Sequence, residues 1–159
     1  MPRVRRTIPF LYTGVTVALW VVILPGVLIR DQQGVGGIPW RPLPLVIAAA
    51  AVLLAGTGLV HYPARQLAQR GIGLFGMTPG PVLVTDGWYR RVRNPIDVGT
   101  TLIALSPVAA FDVALMWVVP GAALINFTVG AGLYEDRRLF EGFGGEFTGY
   151  RRRVPKWIP

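Results

Sequence analysis

The stretch Leu43–Val60 reads LPLVIAAAAVLLAGTGLV and contains no charged side chain. A helix needs about 20 apolar residues to cross the hydrocarbon core of a bilayer, and an uncharged stretch of about 18 or more is a candidate span. The small residues Ala48–Ala51, Gly56 and Gly58 would let neighbouring helices approach closely in lipid. We therefore expect a membrane-spanning helix that packs in the middle of a helical bundle.

Two other apolar stretches lie on either side of this one. Ile8–Ile29 is uncharged and long enough to span. Val98–Tyr134 is interrupted at Pro107–Asp112, which favours a helical hairpin that turns there, with one span plus a re-entrant piece as the alternative. Pro95 suits the first position of that hairpin, with Asn94 as its N-cap.

The predicted fold class is all-α, an integral membrane bundle of about four transmembrane helices in one domain over 1–159. It comprises spans over 8–29 and 43–60, a cytoplasmic loop over 61–94, a hairpin of two spans over 95–134 and a cytoplasmic tail over 135–159. The tail is amphipathic and basic, and we expect it to lie along the membrane surface as an interfacial helical segment. His61 is expected to end the second span at the interface.

Composition excludes several kinds of function. Hydrophobic residues make up 52 % of the chain and charged residues 15 %, whereas globular proteins carry about 25 % charge. The chain has no cysteine and one histidine, so thiolate chemistry and multi-histidine metal sites are excluded, and no metal is expected. A net charge of +8 is also typical of nucleic-acid binding. Here the charge sits between apolar segments, so we expect no nucleic-acid partner.

The basic residues predict the orientation in the membrane. With four spans, fourteen of the sixteen fall in the N-terminus, the middle loop and the tail, and only Arg30 and Arg41 fall on the other side. Cytoplasmic loops carry the excess of lysine and arginine. Both termini are therefore expected in the cytoplasm, in what we expect to be a bacterial inner membrane, where anionic lipids would contact the arginines.

Two polar stretches flank the hairpin: GWYRRVRNPIDVG over 87–99 and EDRRLFEGFGGEFTGYRRRVP over 135–155. A closed hairpin would bring both stretches to its cytoplasmic mouth. A pocket there would contain arginines, carboxylates and aromatic rings in a gap between helices. Such a pocket can hold a charged, amphipathic cofactor while the bilayer supplies a hydrophobic substrate.

The pattern G-x-Y-R-x-V-R-N-P, followed by E-D-x-x-L-x-x-x-F-G-x-x-F-x-x-Y-R-R-R-V-P-x-x-I-P, resembles the isoprenylcysteine carboxyl methyltransferase family, which is grouped with the membrane phospholipid methyltransferases. The resemblance covers Val82–Pro159, and the N-terminal half is similar only in being helical. It implies a methyltransferase that uses S-adenosylmethionine without a Rossmann domain. The cofactor would lie under the C-terminal segment, and a hydrophobic, lipid-like acceptor would enter from the bilayer.

The resemblance also implies the residues of the site. The cofactor-binding positions that match the family motifs are Tyr89, Arg93, Asn94, Pro95, Val98, Gly99, Glu135, Asp136 and Tyr150. Asn94 stands where many members have histidine. A carboxylate such as Glu135 can accept hydrogen bonds from the cofactor's ammonium or ribose hydroxyls, and arginine can hold a carboxylate bidentately. The backbone N–H groups near Asn94–Ile96 lie at a helix N-terminus, which favours an anion.

Two residues are the catalytic candidates. Arg153 matches the family's arginine before Val-Pro and could orient an acceptor carboxylate. Asp97 stands where the family usually has an aromatic residue, and a carboxylate inside a membrane helix is costly unless it is paired or hydrated. We expect it to pair with Arg93 or a tail arginine, or to bind a substrate amine. The acceptor therefore stays open among a prenylcysteine carboxylate, an amine, a thiol, a phenol and a small lipid.

Other interpretations stay open beside the enzyme. The chain could be a non-catalytic membrane protein, such as a transporter subunit or an assembly factor, or a family member that has lost catalysis but still binds a ligand. The acids Glu135 and Asp136 could simply begin a surface helix. Tyr89 and Tyr150 could belong to an interfacial aromatic belt.

Overall fold

The structure is a computed structural model that describes residues 14–32, 40–72, 82–129 and 134–157. Every regular element in these ranges is a helix, which confirms the all-α prediction for the described part of the chain. The π-helical segment Ala18–Ile23 continues into helix α1 (Leu24–Gln32). The other α-helices are α2 (Leu43–Gln69), α3 (Pro95–Ala110), α4 (Val118–Val129) and α5 (Asp136–Arg153). Two 3-10 turns lie over Gly87–Arg90 and Ala114–Trp117.

Helix α2 is longer than the predicted span over 43–60, because it continues through His61 to Gln69. The added segment contains several good helix formers, and Pro63 is buried inside the helix. The expectation that His61 ends a helix is therefore wrong, and the predicted loop over 61–94 begins with two further helical turns.

Helices α2 and α3 pack against each other at two glycines. A Cβ atom on Gly56 would lie 2.7 Å from the carbonyl oxygen of Gly99, and one on Gly99 would lie 2.8 Å from the carbonyl oxygen of Gly56. Beside this contact, Val60 and Ile103 are fully buried. The expectation that small residues let α2 pack closely in the bundle is thus confirmed at Gly56.

The described part of the predicted hairpin, residues 95–129, contains two helices that pack against each other, and residues 130–133 lie outside the described residues. Its first helix runs through Pro107 to Ala110, and the second follows the 3-10 turn. In the core of the hairpin, Ala104 contacts Val119 and Ala123 of α4, and Leu24 of α1 packs against them.

The start of α2 is fastened to the end of α3. The Arg41 backbone N–H donates to the Ala110 carbonyl at 2.9 Å, and the Arg41 guanidinium pairs with Asp112 at 3.0 Å. The Trp40 and Phe111 rings lie 4.6 Å apart. These contacts fix one end of the two-helix pair, opposite to the end that carries the polar motifs.

One helix in the described ranges, α2, is long and apolar enough to cross a membrane. Only 17 % of its apolar window is buried, and Leu43, Ile47 and Leu54 keep most of their surface exposed. The apolar helices Gly14–Arg30, Pro95–Ala110 and Ala114–Ile125 are shorter. Residues 8–13 of the predicted first span lie outside the described residues.

The predicted tail forms α5, followed by a short extended segment that we call the C-terminal strap, Val154–Trp157. Gly144 has φ 48° and ψ −115°, so α5 is kinked there into two helical arms. Phe147 and Tyr150 of the second arm are buried and pack with Val154. The second arm and the strap therefore share one small apolar core.

Candidate functional site

The C-terminal strap lies along the segment that enters α3. The backbone N–H of Arg93 donates to the Pro155 carbonyl at 2.9 Å, and that of Asn94 donates to the Lys156 carbonyl at 3.0 Å. The Arg93 Nε adds a hydrogen bond to the Val154 carbonyl at 3.1 Å. The two motif stretches thus meet at one end of the hairpin, as the sequence predicts.

Asn94 lies at the centre of this contact. It occupies the N-cap position of α3, as predicted, but its side chain does not cap the helix. Its amide Nδ2 donates instead to Glu135 Oε2 at 2.9 Å and to Asp97 Oδ2 at 3.2 Å. We call these three residues the Asn94 node. The side chain is 8 % exposed, so one buried amide joins two carboxylates from separate helices.

Asp97 and Glu135 form no ion pair within the described ranges. The expected pairing of Asp97 with Arg93 is wrong, because the Arg93 guanidinium binds Asp136 at 3.3 Å instead. Nor does a described tail arginine pair with Asp97; the polar groups that act on it are those of Asn94, Glu135, Lys156 and Trp157. Charges removed from water are costly without a partner, so the node would gain from a cationic ligand.

Glu135 is an exposed residue whose carboxyl group has a raised pKa. More than a third of its surface is exposed, so a ligand could approach its carboxylate. The protein atoms packed around it nevertheless withdraw the carboxyl group from water and raise its pKa above the ordinary value of 4.5, while the Asn94 hydrogen bond opposes this rise. Burial disfavours the charged form and a donor favours it.

Asp136 has a different environment from Glu135, although the two are adjacent. Its Oδ1 accepts from Arg93 at 3.3 Å and its Oδ2 from Lys156 at 3.3 Å. The side chain is 15 % exposed and those of its partners 9 % and 19 %. Both carboxylate oxygens therefore bind protein cations, and the paired acids of the motif have separate surroundings.

The two motif tyrosines belong to the core beside this contact. The Tyr150 hydroxyl donates to the Tyr89 carbonyl at 2.6 Å, and both side chains are buried. Burial raises the pKa of Tyr150 to about 12. The structure thus uses Tyr150 to join α5 to the 3-10 turn before α3, and its hydroxyl is already engaged.

The remaining predicted residues are not all at the node. Arg153 is exposed at the end of α5. Gly99 lies against α2, where it contacts Gly56. Pro95 is buried as the first residue of α3, and Val98 is half-buried one turn later. The structure therefore brings together Arg93, Asn94, Asp97, Glu135 and Asp136, and leaves Arg153 outside this group.

The start of α3 offers an anion fewer N–H donors than expected. The Asn94 N–H donates to the strap, Pro95 has no N–H, and Asp97 lies in the first turn of the helix. A carboxylate at this position satisfies the positive end of the helix dipole. An anionic ligand would meet the Asp97 carboxylate there, so this end of α3 favours a cation.

Sequence reasoning missed Lys156 and Trp157. The Lys156 ammonium lies 5.4 Å from the centre of the Trp157 ring. The Trp157 indole Nε1 is buried near the Asp97 carboxylate, but it makes no hydrogen bond of ordinary geometry within the described residues. Both residues fall in the gap of the motif V-P-x-x-I-P, so the pattern itself gave no signal. The adjacency of a lysine and a tryptophan could have suggested a cation–π contact.

A second contact fastens the 3-10 turn to α2. The Arg70 guanidinium pairs with the Asp86 carboxylate, and the Gln66 amide donates to the same residue at 2.9 and 3.0 Å. The hydrogen bond from Arg70 lowers the pKa of Asp86. Because Asp86 precedes the turn that carries Tyr89, this contact orients the entry into the site from the α2 side.

Comparisons with known proteins add no relative: no family model matches the chain, and no match is found among curated proteins or solved structures. The family resemblance of residues 82–159 therefore rests on the motifs themselves.

Proposed function

We propose that the protein is a membrane-embedded methyltransferase that transfers a methyl group from S-adenosylmethionine to a hydrophobic or amphipathic acceptor. The observation that carries the proposal is the 2.9 Å hydrogen bond between Asn94 and Glu135. These residues come from the two motif stretches, which are separated in sequence by the whole hairpin. Their contact supports one site built from both stretches, which is what the family resemblance implies.

The charges around the node support a cationic ligand. Among the described residues, Asp97 and Glu135 form no ion pair; Arg93 and Lys156 both bind Asp136, and Lys156 acts on the two node carboxylates only at longer range. S-adenosylmethionine carries an ammonium and a sulfonium group, and either would supply the missing positive charge. Glu135 is the residue we assign to the ammonium, because the residue is exposed and its carboxylate is already oriented by Asn94.

The proposed reaction makes modest demands on the protein. S-adenosylmethionine would supply an activated methyl group whose carbon–sulfur bond breaks as the acceptor's lone pair forms the new bond. Alignment of the two reactants and exclusion of water are the main requirements of such a displacement. The strap and the buried Asn94 would provide a fixed, partly dry boundary, and the apolar hairpin would present the acceptor from the bilayer.

The membrane placement is part of the proposal. Helix α2 would cross the bilayer, and α1 and the α3–α4 hairpin would complete a multi-pass bundle in a bacterial inner membrane. At 1.5 Å per residue α3 is about 24 Å long, which is shorter than the hydrocarbon core of about 30 Å. The hairpin would therefore reach the far side of the bilayer only if the segment between α3 and α4 covers the remaining distance. The arginine distribution supports cytoplasmic termini and a cytoplasmic node.

Calorimetric titration of the detergent-solubilised protein with S-adenosylhomocysteine tests the proposal. We expect saturable binding that Glu135→Gln weakens about tenfold or more, the loss typical of a hydrogen bond to a charged group. Glu141→Gln is the matched control, because Glu141 lies in α5 six residues after Glu135, is exposed and pairs with Arg137. Absence of wild-type binding at millimolar ligand would reject the methyltransferase.

A ligand-binding protein without catalysis is the second candidate. Arg153, which the motif assigns to the acceptor, is exposed at the end of α5 and outside the node. Incubation with methyl-labelled cofactor and a bacterial lipid extract separates the two. Labelled lipid product supports the enzyme, whereas tight binding with no transfer to any extract favours the non-catalytic protein.

A further inference from the structure

Asp136 contacts two other segments of the site, which a ligand-binding role alone would not require. It begins α5, yet its two oxygens bind one cation that precedes α3 and one in the strap. The Arg93 guanidinium also lies 5.9 Å from the centre of the Phe147 ring and donates to the Val154 carbonyl. Asp136 and Arg93 therefore join three segments of the chain through largely buried, charge-assisted contacts.

We propose that Asp136 does not bind the cofactor but clasps the C-terminal strap across the entry of α3, and so acts as a positioning residue for the Asn94 node. This inference rests on the proposed function for what the node binds, but the clasp itself is a property of the fold. The motif treats Glu135 and Asp136 as a pair. The structure divides them: Glu135 accepts a hydrogen bond from Asn94 and would face the ligand, whereas Asp136 binds Arg93 and Lys156.

The physical argument concerns what would follow if the clasp were absent. Without Asp136, the positive charges of Arg93 and Lys156 would lose their shared counter-ion and repel each other, which would push the strap away. The strap holds the backbone of Arg93 and Asn94 by two hydrogen bonds. Once these break, Asn94 would no longer be fixed, and its amide could not orient Glu135. Loss of the clasp would thus weaken ligand binding indirectly.

Hydrogen exchange measures the clasp directly. The backbone N–H groups of Arg93 and Asn94 donate to the strap, and Pro95 has no N–H that could exchange. Exchange in a peptide over 91–97 therefore reports mainly on whether the strap is closed. We expect Asp136→Asn to raise exchange at these two amides about tenfold or more, consistent with lost hydrogen bonds to charged groups. Asp136→Glu, which keeps the charge, should retain most of the protection, and Glu141→Gln should leave it unchanged.

Ligand affinity, measured on the same variants, separates positioning from direct contact. Glu135→Gln should lose affinity for S-adenosylhomocysteine while strap exchange stays at the wild-type level. Asp136→Asn should change both. Lys156→Met removes the strap arm of the clasp, together with the Lys156 contact to the Trp157 ring, and leaves the Arg93–Asp136 pair in place. It should raise exchange without perturbing the bundle, which provides a second test if Asp136→Asn does not fold.

Two results would overturn the clasp: unchanged exchange at Arg93 and Asn94 in both Asp136→Asn and Lys156→Met, or exchange that rises equally throughout α2 and α3. If Asp136→Asn lost ligand affinity while the strap stayed protected from exchange, Asp136 would be assigned to cofactor binding instead. If the wild-type protein does not bind S-adenosylhomocysteine, the proposed function fails, but the exchange result still decides the clasp.

Discussion

Gly56 and Gly99 contact each other backbone to backbone where α2 crosses α3, since a Cβ on Gly56 would lie 2.7 Å from the Gly99 carbonyl oxygen and 2.9 Å from the Ile103 nitrogen. Neither neighbour can move without moving its helix. The contact therefore sets the separation of the two helices, and α3 in turn carries Asn94 and Asp97 at its start. The position of the node depends on this crossing.

Gly56→Ala is expected to destabilise the protein, although alanine is the better helix former. Forcing α2 and α3 apart should cost about 1–3 kcal/mol, as for other overpacked cores. Gly58→Ala is the matched control, because its Cβ would meet only the Tyr62 ring at 3.9 Å, so helix propensity should make it neutral or stabilising. Denaturation in detergent micelles measures both. Equal stability of the two variants would contradict the close crossing.

Asn94→Leu should remove the amide that joins Asp97 and Glu135. We expect a loss of about 1.5–3 kcal/mol in folding or ligand binding, because hydrogen bonds to charged groups are lost and the two carboxylates then face each other directly. Gln69→Ala removes an exposed amide at the end of α2 and should have no effect. Wild-type stability and affinity in Asn94→Leu would show that the node is dispensable.

Ionisation of Glu135 should make ligand binding and folding stability depend on pH in opposite directions. Its pKa is raised in the folded protein, so the folded state holds more protons than the unfolded state just above pH 4.5. Stability from this group is full below 4.5 and is lost as pH rises through the folded pKa. Binding of a cationic ligand needs the ionised form and should increase over the same interval.

The difference between wild type and Glu135→Gln reports on Glu135 together with its electrostatic effect on the neighbouring Asp97, whereas groups far from the node titrate alike in both proteins. Calorimetry and thermal denaturation from pH 4.5 to 8 supply the two curves. If affinity for S-adenosylhomocysteine rises with pH equally in both proteins, Glu135 does not bind the cation.

Tyr150→Phe should cost about 0.5–1.5 kcal/mol, the usual net value of one hydrogen bond, because the Tyr89 carbonyl loses its donor at a buried site. The ring would still pack against Phe147. Tyr62→Phe, at a position that is 59 % exposed, serves as the control. Chemical denaturation should place only Tyr150→Phe below wild type; a loss of ligand affinity without a loss of stability would instead assign the hydroxyl to the cofactor.

The apolar pattern predicted correctly that the described part of the chain is helical. Helices α3 and α4 lie within the predicted hairpin, α5 lies within the predicted tail, and Pro95 begins α3 as its position suggested. The end of α2 was misplaced because His61 and Pro63 interrupt the apolar stretch, although neither breaks a helix whose neighbours favour it. Hydropathy finds where a helix can enter lipid, and says little about where its polar end stops.

The pairing of charges could not be predicted from the sequence. Asp97 stands four residues after Arg93, which suggested an ion pair on one helix face. Arg93 lies outside α3, however, so helical spacing does not apply to it, and Asp136 reaches it from 43 residues away. Lys156 and Trp157 were missed because a family pattern leaves them unspecified. Contacts between distant segments depend on the fold, which local spacing does not encode.

The kink at Gly144 has a consequence for how the polar end of the molecule is built. A straight helix with the 18 residues of α5 would be about 27 Å long, yet the Asp136 carboxylate and the Lys156 ammonium lie 3.3 Å apart. The chain must therefore double back at Gly144, whose φ of 48° is strained for any residue with a side chain. Residues 136–156 therefore form a short loop whose two arms pack through Leu139 and Phe143 and whose ends are joined by the Asp136–Lys156 ion pair. Closing so short a loop costs little chain entropy. We expect a side chain at position 144 to disfavour this turn and so separate Asp136 from Lys156, without changing any polar group of the site.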